Sequence, residues 1–302
     1  MILETKGLTK VYGKQEIVSG VDLQLEKGQI YGFLGPNGAG KTTTMRMILG
    51  LTKPASGEIL LFGKSLKTDR IQILKRIGSL IETPSFYSHL TGLENVRIAA
   101  KLYGVGDRKR VDDVFSLVRL EHAMHRKAGS YSLGMKQRLG LAMALIHKPE
   151  LLILDEPTNG LDPEGIQEMR DLIKNMPSIM NTTVLVSSHL LSEVEQMATN
   201  VGIIHQGSMK FQGTMEELKK QNSGHLLIRT NDPERAWSTL KEKGFIVKLQ
   251  GDQLKISDAR PEIIQQIQQQ LISNDVTILR MEEEKSSLEK MFMQMTKREN
   301  AS

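Results

Sequence analysis

The stretch Ile30-Tyr31-Gly32-Phe33-Leu34-Gly35-Pro36-Asn37-Gly38-Ala39-Gly40-Lys41-Thr42 decides the fold. Its first part is a short apolar run ending in glycine, which reads as a buried strand. Beyond Thr42, the residues Met45, Ile48 and Leu49 fall on one face of a helix. Between strand and helix lies the spacing G-x-x-x-x-G-K-T, in which glycines let the backbone wrap phosphate oxygens. The amide N–H groups converge there and the helix N-terminus adds positive potential. Lys41 can reach the β- and γ-phosphates of a nucleotide, and the Thr42 hydroxyl can ligate Mg²⁺. Gly35, Pro36, Asn37, Gly38, Ala39, Gly40, Lys41, Thr42 and Thr43 are therefore the expected phosphate-binding residues.

A second site follows where Leu151-Leu152-Ile153-Leu154 ends in Asp155-Glu156-Pro157. A carboxylate at the tip of a buried parallel strand shares a sheet edge with the phosphate loop, where α/β proteins bind ligands. Asp155 suits Mg²⁺ through water, and Glu156 could activate the water that attacks the γ-phosphate.

Outward from these points, residues 2–6, 17–25, 29–34 and the string GEILLFG read as strands, and 42–49, 93–103, 110–120 and 133–147 as helices. The strand LLILD, a helix over 163–175, the strand TTVLVSS, a helix after His189 and the strand VGIIH follow. Strands alternating with helices predict an α/β fold with a mainly parallel sheet covered on both faces. The tail has its own rhythm: strands at 225–229, 245–249, 253–256 and 276–280, helices at 233–243 and 261–272, and a terminal helix at 286–296. This βαββαβ order suits a small two-layer α+β domain, with Trp237 in its core and a linker within 219–224. The run QQIQQQ is striped by Ile263, Ile264, Ile267 and Leu271 at helical spacing, so it reads as a solvated helix face.

A chain of 302 residues suits two domains, and 39% hydrophobic residues are too many for disorder. There is no cysteine, which removes disulfides, thiolate metal sites and cysteine nucleophiles together. The opening MILETKGLTKVYGK alternates and carries charge, unlike a secretory signal. No run approaches the roughly 18 consecutive apolar residues of a spanning helix, so a membrane role is expected only through a partner. The net charge is +5; from residue 223 onward 12 Lys+Arg balance 12 Asp+Glu, leaving 28 against 23 before it. Such an excess attracts DNA, anionic lipid or polyphosphate, and composition does not choose among them.

Ahead of LLILDEP stands Tyr131-Ser132-Leu133-Gly134-Met135-Lys136-Gln137-Arg138. This resembles the LSGGQ signature of the nucleotide-binding subunits of ATP-binding-cassette (ABC) transporters, and the resemblance covers residues 1 to about 220. Ser132 and Gly134 match, Leu133 replaces a glycine, and Met135-Lys136 depart from the usual pair. Asn159-Gly160-Leu161-Asp162 is similar to the family's D-loop, Ser187-Ser188-His189 ends a strand as its switch histidine does, and Tyr12 stands where it stacks an aromatic ring on adenine. The resemblance implies a P-loop cassette domain over 1–222 with a helical signature subdomain at about 84–145, and an accessory domain over 223–302. It also implies ATP and Mg²⁺ as cofactors, Glu156 and His189 as catalytic residues, and a second cassette, homodimeric or paired, whose Ser132 and Gly134 close the site.

The family carries a glutamine where this chain has Glu82, in Ile77-Gly78-Ser79-Leu80-Ile81-Glu82-Thr83-Pro84. Two like charges roughly 5 Å apart repel by about 3 kcal/mol at an effective dielectric near 20. Glu82 is thus expected to face the metal with Thr42 and Asp155, accept a proton, or point to the partner, and to alter how permease movement couples to hydrolysis. The glutamate resembles that of the ATPases of lantibiotic and bacitracin self-protection exporters, and the ending Ser287-Leu288-Glu289-Lys290-Met291-Phe292 looks like the S-L-E-x-x-F common in drug and antibiotic-peptide exporters. The implied function is an ATPase powering export of peptide antibiotics, peripheral on the cytoplasmic membrane face, with an integral membrane permease and without nucleic acid. Two alternatives stay open: a soluble cassette ATPase acting on ribosomes or RNA, and a regulatory nucleotide-binding protein.

Overall fold

Leu3, Leu8, Val18 and Val21 are fully buried while Lys6, Glu16 and Gly20 are exposed, as in strands covered on one face. In the computed structural model, which describes residues 1–221, 225–256, 260–284 and 292–293, these residues lie on β1 (Leu3–Tyr12) and β2 (Gln15–Val21). The two-residue connection between Tyr12 and Gln15 permits only antiparallel pairing. The short β3 (Gln24–Leu25) also pairs with β1, and β4 (Ile30–Leu34), buried at every residue, leads into the glycine loop and α1 (Lys41–Ile48). β5 (Ser56–Leu61) and β6 (Lys64–Ser65) then complete a sheet of order β2-β1-β5-β6. The first strands and GEILLFG are therefore not part of the parallel sheet, a separation that the strand-helix alternation did not reveal.

α2 (Leu66–Leu74) leads to β7 (Ile77–Leu80), and α3 (Gly92–Leu102), α4 (Arg108–Leu117) and α5 (Leu133–Leu145) follow before β8 (Leu151–Asp155). The remaining elements of this part are α6 (Pro163–Met180), β9 (Thr183–Ser188), α7 (Leu191–Met197), β10 (Asn200–His205) and β11 (Ser208–Thr214). They form a second sheet of order β11-β10-β4-β9-β8-β7, parallel throughout except for the edge strand β11. Leu34 lies opposite Ser188, Asp155 opposite Ser187, and Leu80 opposite Leu154, so four strand ends meet beside the glycine loop.

The chain divides into two units, Met1–Met215 and Glu216–Ser302. After α8 (Met215–Gln221), the second unit contains β12 (His225–Thr230), α9 (Pro233–Glu242), β13 (Val247–Gln250), β14 (Gln253–Ile256), α10 (Pro261–Ser273) and β15 (Ile278–Glu284). Its sheet has the order β13-β14-β12-β15, antiparallel throughout. Leu226, Ile228, Leu240, Leu254, Ile267 and Leu271 form its core, and Trp237 packs partly buried against them. The βαββαβ order is the one read from the sequence. The terminal helix at 286–296 and the ending that begins at Ser287 lie outside the described residues except for 292–293, as do 222–224 of the linker.

Candidate active site

The loop between β4 and α1 needs its glycines. Gly38 and Gly40 have φ of 80° and 106°, which side-chain-bearing residues rarely adopt. A β-carbon on Gly40 would lie 2.9 Å from the Ile17 carbonyl oxygen, and one on Gly35 would overlap that of Ile204. α1 has no side-chain N-cap, so its first N–H groups face the loop's interior without a competing acceptor from the cap. A cavity of about 190 Å³ opens there, lined by Asn37, Gly38, Lys41, Thr42, Thr43 and Glu156 among others. Lys41 is only 5% exposed; its Nζ donates to the carbonyls of Gly35 at 2.7 Å and Pro36 at 3.3 Å, and lies 3.2 Å from Glu156 Oε1.

The carboxylates are fixed from two neighbouring strands. Thr42 Oγ1 donates to Asp155 Oδ2 at 2.8 Å, and Ser187 Oγ donates to Asp155 Oδ1 at 2.6 Å. Ser187 Oγ also accepts from the Glu156 N–H at 2.9 Å. Glu156 has a φ of 48°, and its second oxygen lies 3.1 Å from His189 Nδ1. Behind His189, Glu193 accepts from the hydroxyls of Thr158 at 2.8 Å and Ser188 at 2.9 Å, and Ser188 caps the Leu190 N–H at 3.0 Å. The structure thus brings together Lys41, Thr42, Asp155, Glu156 and His189, all expected from the sequence. Ser187, Glu193 and Thr158 were not anticipated; the only signal for Ser187 was its place two residues before His189.

The donor set fits a magnesium ion carried in with a nucleotide. Among the described residues no three of His, Cys, Asp and Glu are grouped to hold a metal. Magnesium commonly takes one or two protein oxygens and completes its shell with phosphate and water, which the Thr42–Asp155 pair allows.

The family model described as ABC transporter matches residues 18–159. Over 97% of each chain, the sequence is 44% identical to the bacitracin transport ATP-binding protein BcrA of Bacillus licheniformis. The chain belongs to the ABC transporter family. It is also 42% identical to the lantibiotic transport ATP-binding protein SrtF of Streptococcus pyogenes, over 69% of this chain and 89% of that one. An ATP-binding cassette solved as a dimer in a post-hydrolysis state, with ADP and phosphate bound, superposes with a TM-score of 0.65 at 25% identity, covering 71% of this chain and 99% of that one. As an ABC subunit the chain binds and hydrolyses ATP, and its energy serves transport through a membrane partner. No helix among its described residues is long and apolar enough to cross a membrane.

Ser132, Gly134, Tyr12 and Glu82, expected at the nucleotide from the resemblance, do not line the cavity beside the phosphate loop. Ser132 is the N-cap of α5, where its hydroxyl accepts from the Met135 N–H at 3.3 Å. Leu133 approaches Gly160, and Gly134 faces Leu161, so the start of α5 packs against the 159–162 segment of its own chain. Among the described residues no hydrogen bond joins Ser132 or Gly134 to Lys41 or Thr42. Tyr12 is half exposed, with Lys10 Nζ 4.8 Å from its ring centre. Glu82 is ion-paired with Arg46 of α1 rather than drawn between Thr42 and Asp155.

Proposed function

We propose that this ABC subunit drives export of peptide antibiotics, as the names of the bacitracin and lantibiotic relatives suggest, and that it works as a pair of cassettes. The observation that carries the chemistry is Glu156, held between Lys41 and His189 at the mouth of the phosphate loop. When the ATP phosphates enter, Lys41 exchanges the carbonyls of Gly35 and Pro36, and Glu156, for phosphate oxygens. That leaves Glu156 Oε1 to accept a proton from a water attacking the γ-phosphorus. The bond to the β–γ bridging oxygen breaks, ADP leaves with that oxygen, and the proton passes on to phosphate. His189 fixes the other carboxylate oxygen through Nδ1 and presents its second nitrogen to the terminal phosphate. Thr42 and Asp155 would hold a magnesium ion, which would neutralise charge on the β- and γ-phosphates.

Ser132 and Gly134 serve the site of the opposing cassette, where the N-terminus of α5 adds positive potential to the γ-phosphate. Tyr12 stacks on adenine. In this reading the permease contacts an apolar groove of about 760 Å³ lined by Leu51, Pro84, Tyr87, Ile98, Leu102 and Tyr103, and the subunit works at the cytoplasmic membrane face. Residues 1–222 form the ATP-binding domain in this reading, and 223–302 an accessory domain that adds dimer contacts.

Glu156→Gln is expected to reduce ATP turnover by about a hundredfold or more and to trap an ATP-bound dimer in size-exclusion chromatography. Persistent fast turnover removes Glu156 from the role of base. Coexpression with its permease in sensitive cells is expected to raise tolerance to bacitracin or a lantibiotic, and the Glu156→Gln chain is not. Unchanged tolerance to both overturns the peptide-antibiotic reading while leaving the ATPase intact.

A further inference from the structure

Three carboxylates stand at this sheet edge, and α1 provides a partner for each. Lys41 faces Glu156, Thr42 donates to Asp155, and Arg46 pairs with Glu82. Thr42 and Arg46 are four residues apart and so share one face of the helix. Glu82 and Glu156 are geometric counterparts: Leu80 of β7 pairs with Leu154 of β8, and each glutamate follows two residues later. Both have left-handed backbone, with φ of 62° and 48°, a conformation that costs an L-residue energy and collects at functional sites. The chain thus carries two glutamates with left-handed backbone at equivalent positions after neighbouring strands.

We infer that Arg46 is a positioning residue: it holds the Glu82 carboxylate on the flank of α1, out of the place where Thr42 and Asp155 meet the nucleotide. The inference rests on the ATPase reading above. The pair is 40% and 56% exposed, and exposed ion pairs add little to stability, so its value lies in where it keeps a charge. Released from Arg46, Glu82 is free to swing toward the triphosphate and repel it. The same pair ties the phosphate-binding helix to the segment after Glu82, whose Thr83, Pro84, Phe86 and Tyr87 line the apolar groove. Arg46 is thereby the link through which a glutamate at 82 is compatible with ATP binding.

The test uses the full chain with Arg46→Ala, Arg46→Lys, Glu82→Gln and the double variant Arg46→Ala/Glu82→Gln, reading KM for ATP and kcat at low and high salt. Arg46→Ala is expected to raise KM about fivefold at low ionic strength, and half-molar salt to narrow the gap. Arg46→Lys keeps KM within about twofold of the parent, and Glu82→Gln in the Arg46→Ala background restores it to the same range. If the double variant is no better than Arg46→Ala, or the loss ignores salt, the Arg46 inference is overturned and the side chain merely supports α1. A parent chain without ATPase activity overturns the functional reading instead. ATP affinity measured on the same four variants then decides the Arg46 question by the same rescue criterion.

Discussion

Ser187 shows how one buried hydroxyl organises two charged groups. It has no exposed surface, donates to Asp155 and accepts from the Glu156 N–H, so neither group can turn without breaking its bond. Ser187→Ala leaves the Glu156 N–H without that acceptor and removes one donor from the Asp155 carboxylate, a loss of about 1–3 kcal/mol. The expected result is a fall in kcat of about tenfold or more, with a lower urea midpoint; unchanged values of both refute the role. Lys41, Thr42, Asp155 and Glu156 could be read from the sequence because each sits in a local motif or at the end of an apolar run, and His189 from the resemblance of Ser187-Ser188-His189 to the family's switch histidine. Ser187 could not, because its role comes from the pairing of β8 with β9, which sets Asp155 opposite it across a gap of 32 residues. Glu193 was hidden in part for the same reason: its partner Thr158, after β8, meets it only once β8 and β9 lie side by side.

Elements were legible where periodicity was strong and lost where it was weak. β11 is half-buried along nearly its whole length, so it shows no alternation to read. α6 continues to Met180, past the expected end at residue 175, because Pro177 sacrifices one N–H while Asn181, in left-handed conformation, closes the helix by donating to the Pro177 carbonyl. The junction of α3, α5 and β7 carries a pH dependence. His147, just beyond α5, stacks on Tyr103, just beyond α3, with ring centres 3.7 Å apart and planes within 3°. Its Nε2 lies 3.2 Å from the Ile77 carbonyl and so donates to it. Burial holds the His147 pKa below its ordinary value; the Ile77 hydrogen bond opposes that shift and the Arg110 charge adds to it. The unfolded chain therefore binds this proton more readily than the folded one. The stabilisation is complete above the ordinary histidine range, near pH 6.5, and is lost as pH falls through that range toward the lowered folded value. Urea unfolding at pH 7.5 and 5.5 is expected to show a lower midpoint at the acid pH, and His147→Gln, which keeps a donor for Ile77, to reduce the difference. An identical difference in the variant assigns the pH effect to other groups.

At the scale of the molecule, the charge and the chemistry sit together. The whole +5 excess falls within the first 222 residues, and the side chains bonded in the candidate ATP site belong to the Met1–Met215 unit. The second unit is charge-balanced from residue 223 and has its own core of Leu226, Ile228, Leu240, Leu254 and Ile267. A unit with a separate core can unfold separately, so the full chain is expected to show two thermal transitions. A chain ending after residue 221 retains α8, whose Leu218 is fully buried, and should keep one of those transitions. Because the side chains bonded in the candidate site all lie in the first unit, its ATP affinity is expected to stay within about twofold of the parent value. The accessory role proposed for the tail predicts a different loss: combined with Glu156→Gln, the shortened chain should need higher protein concentration to form the ATP-bound dimer. An unchanged dimerisation midpoint removes the tail from the dimer, whereas loss of ATP binding itself shows that the first unit depends on the second for its fold.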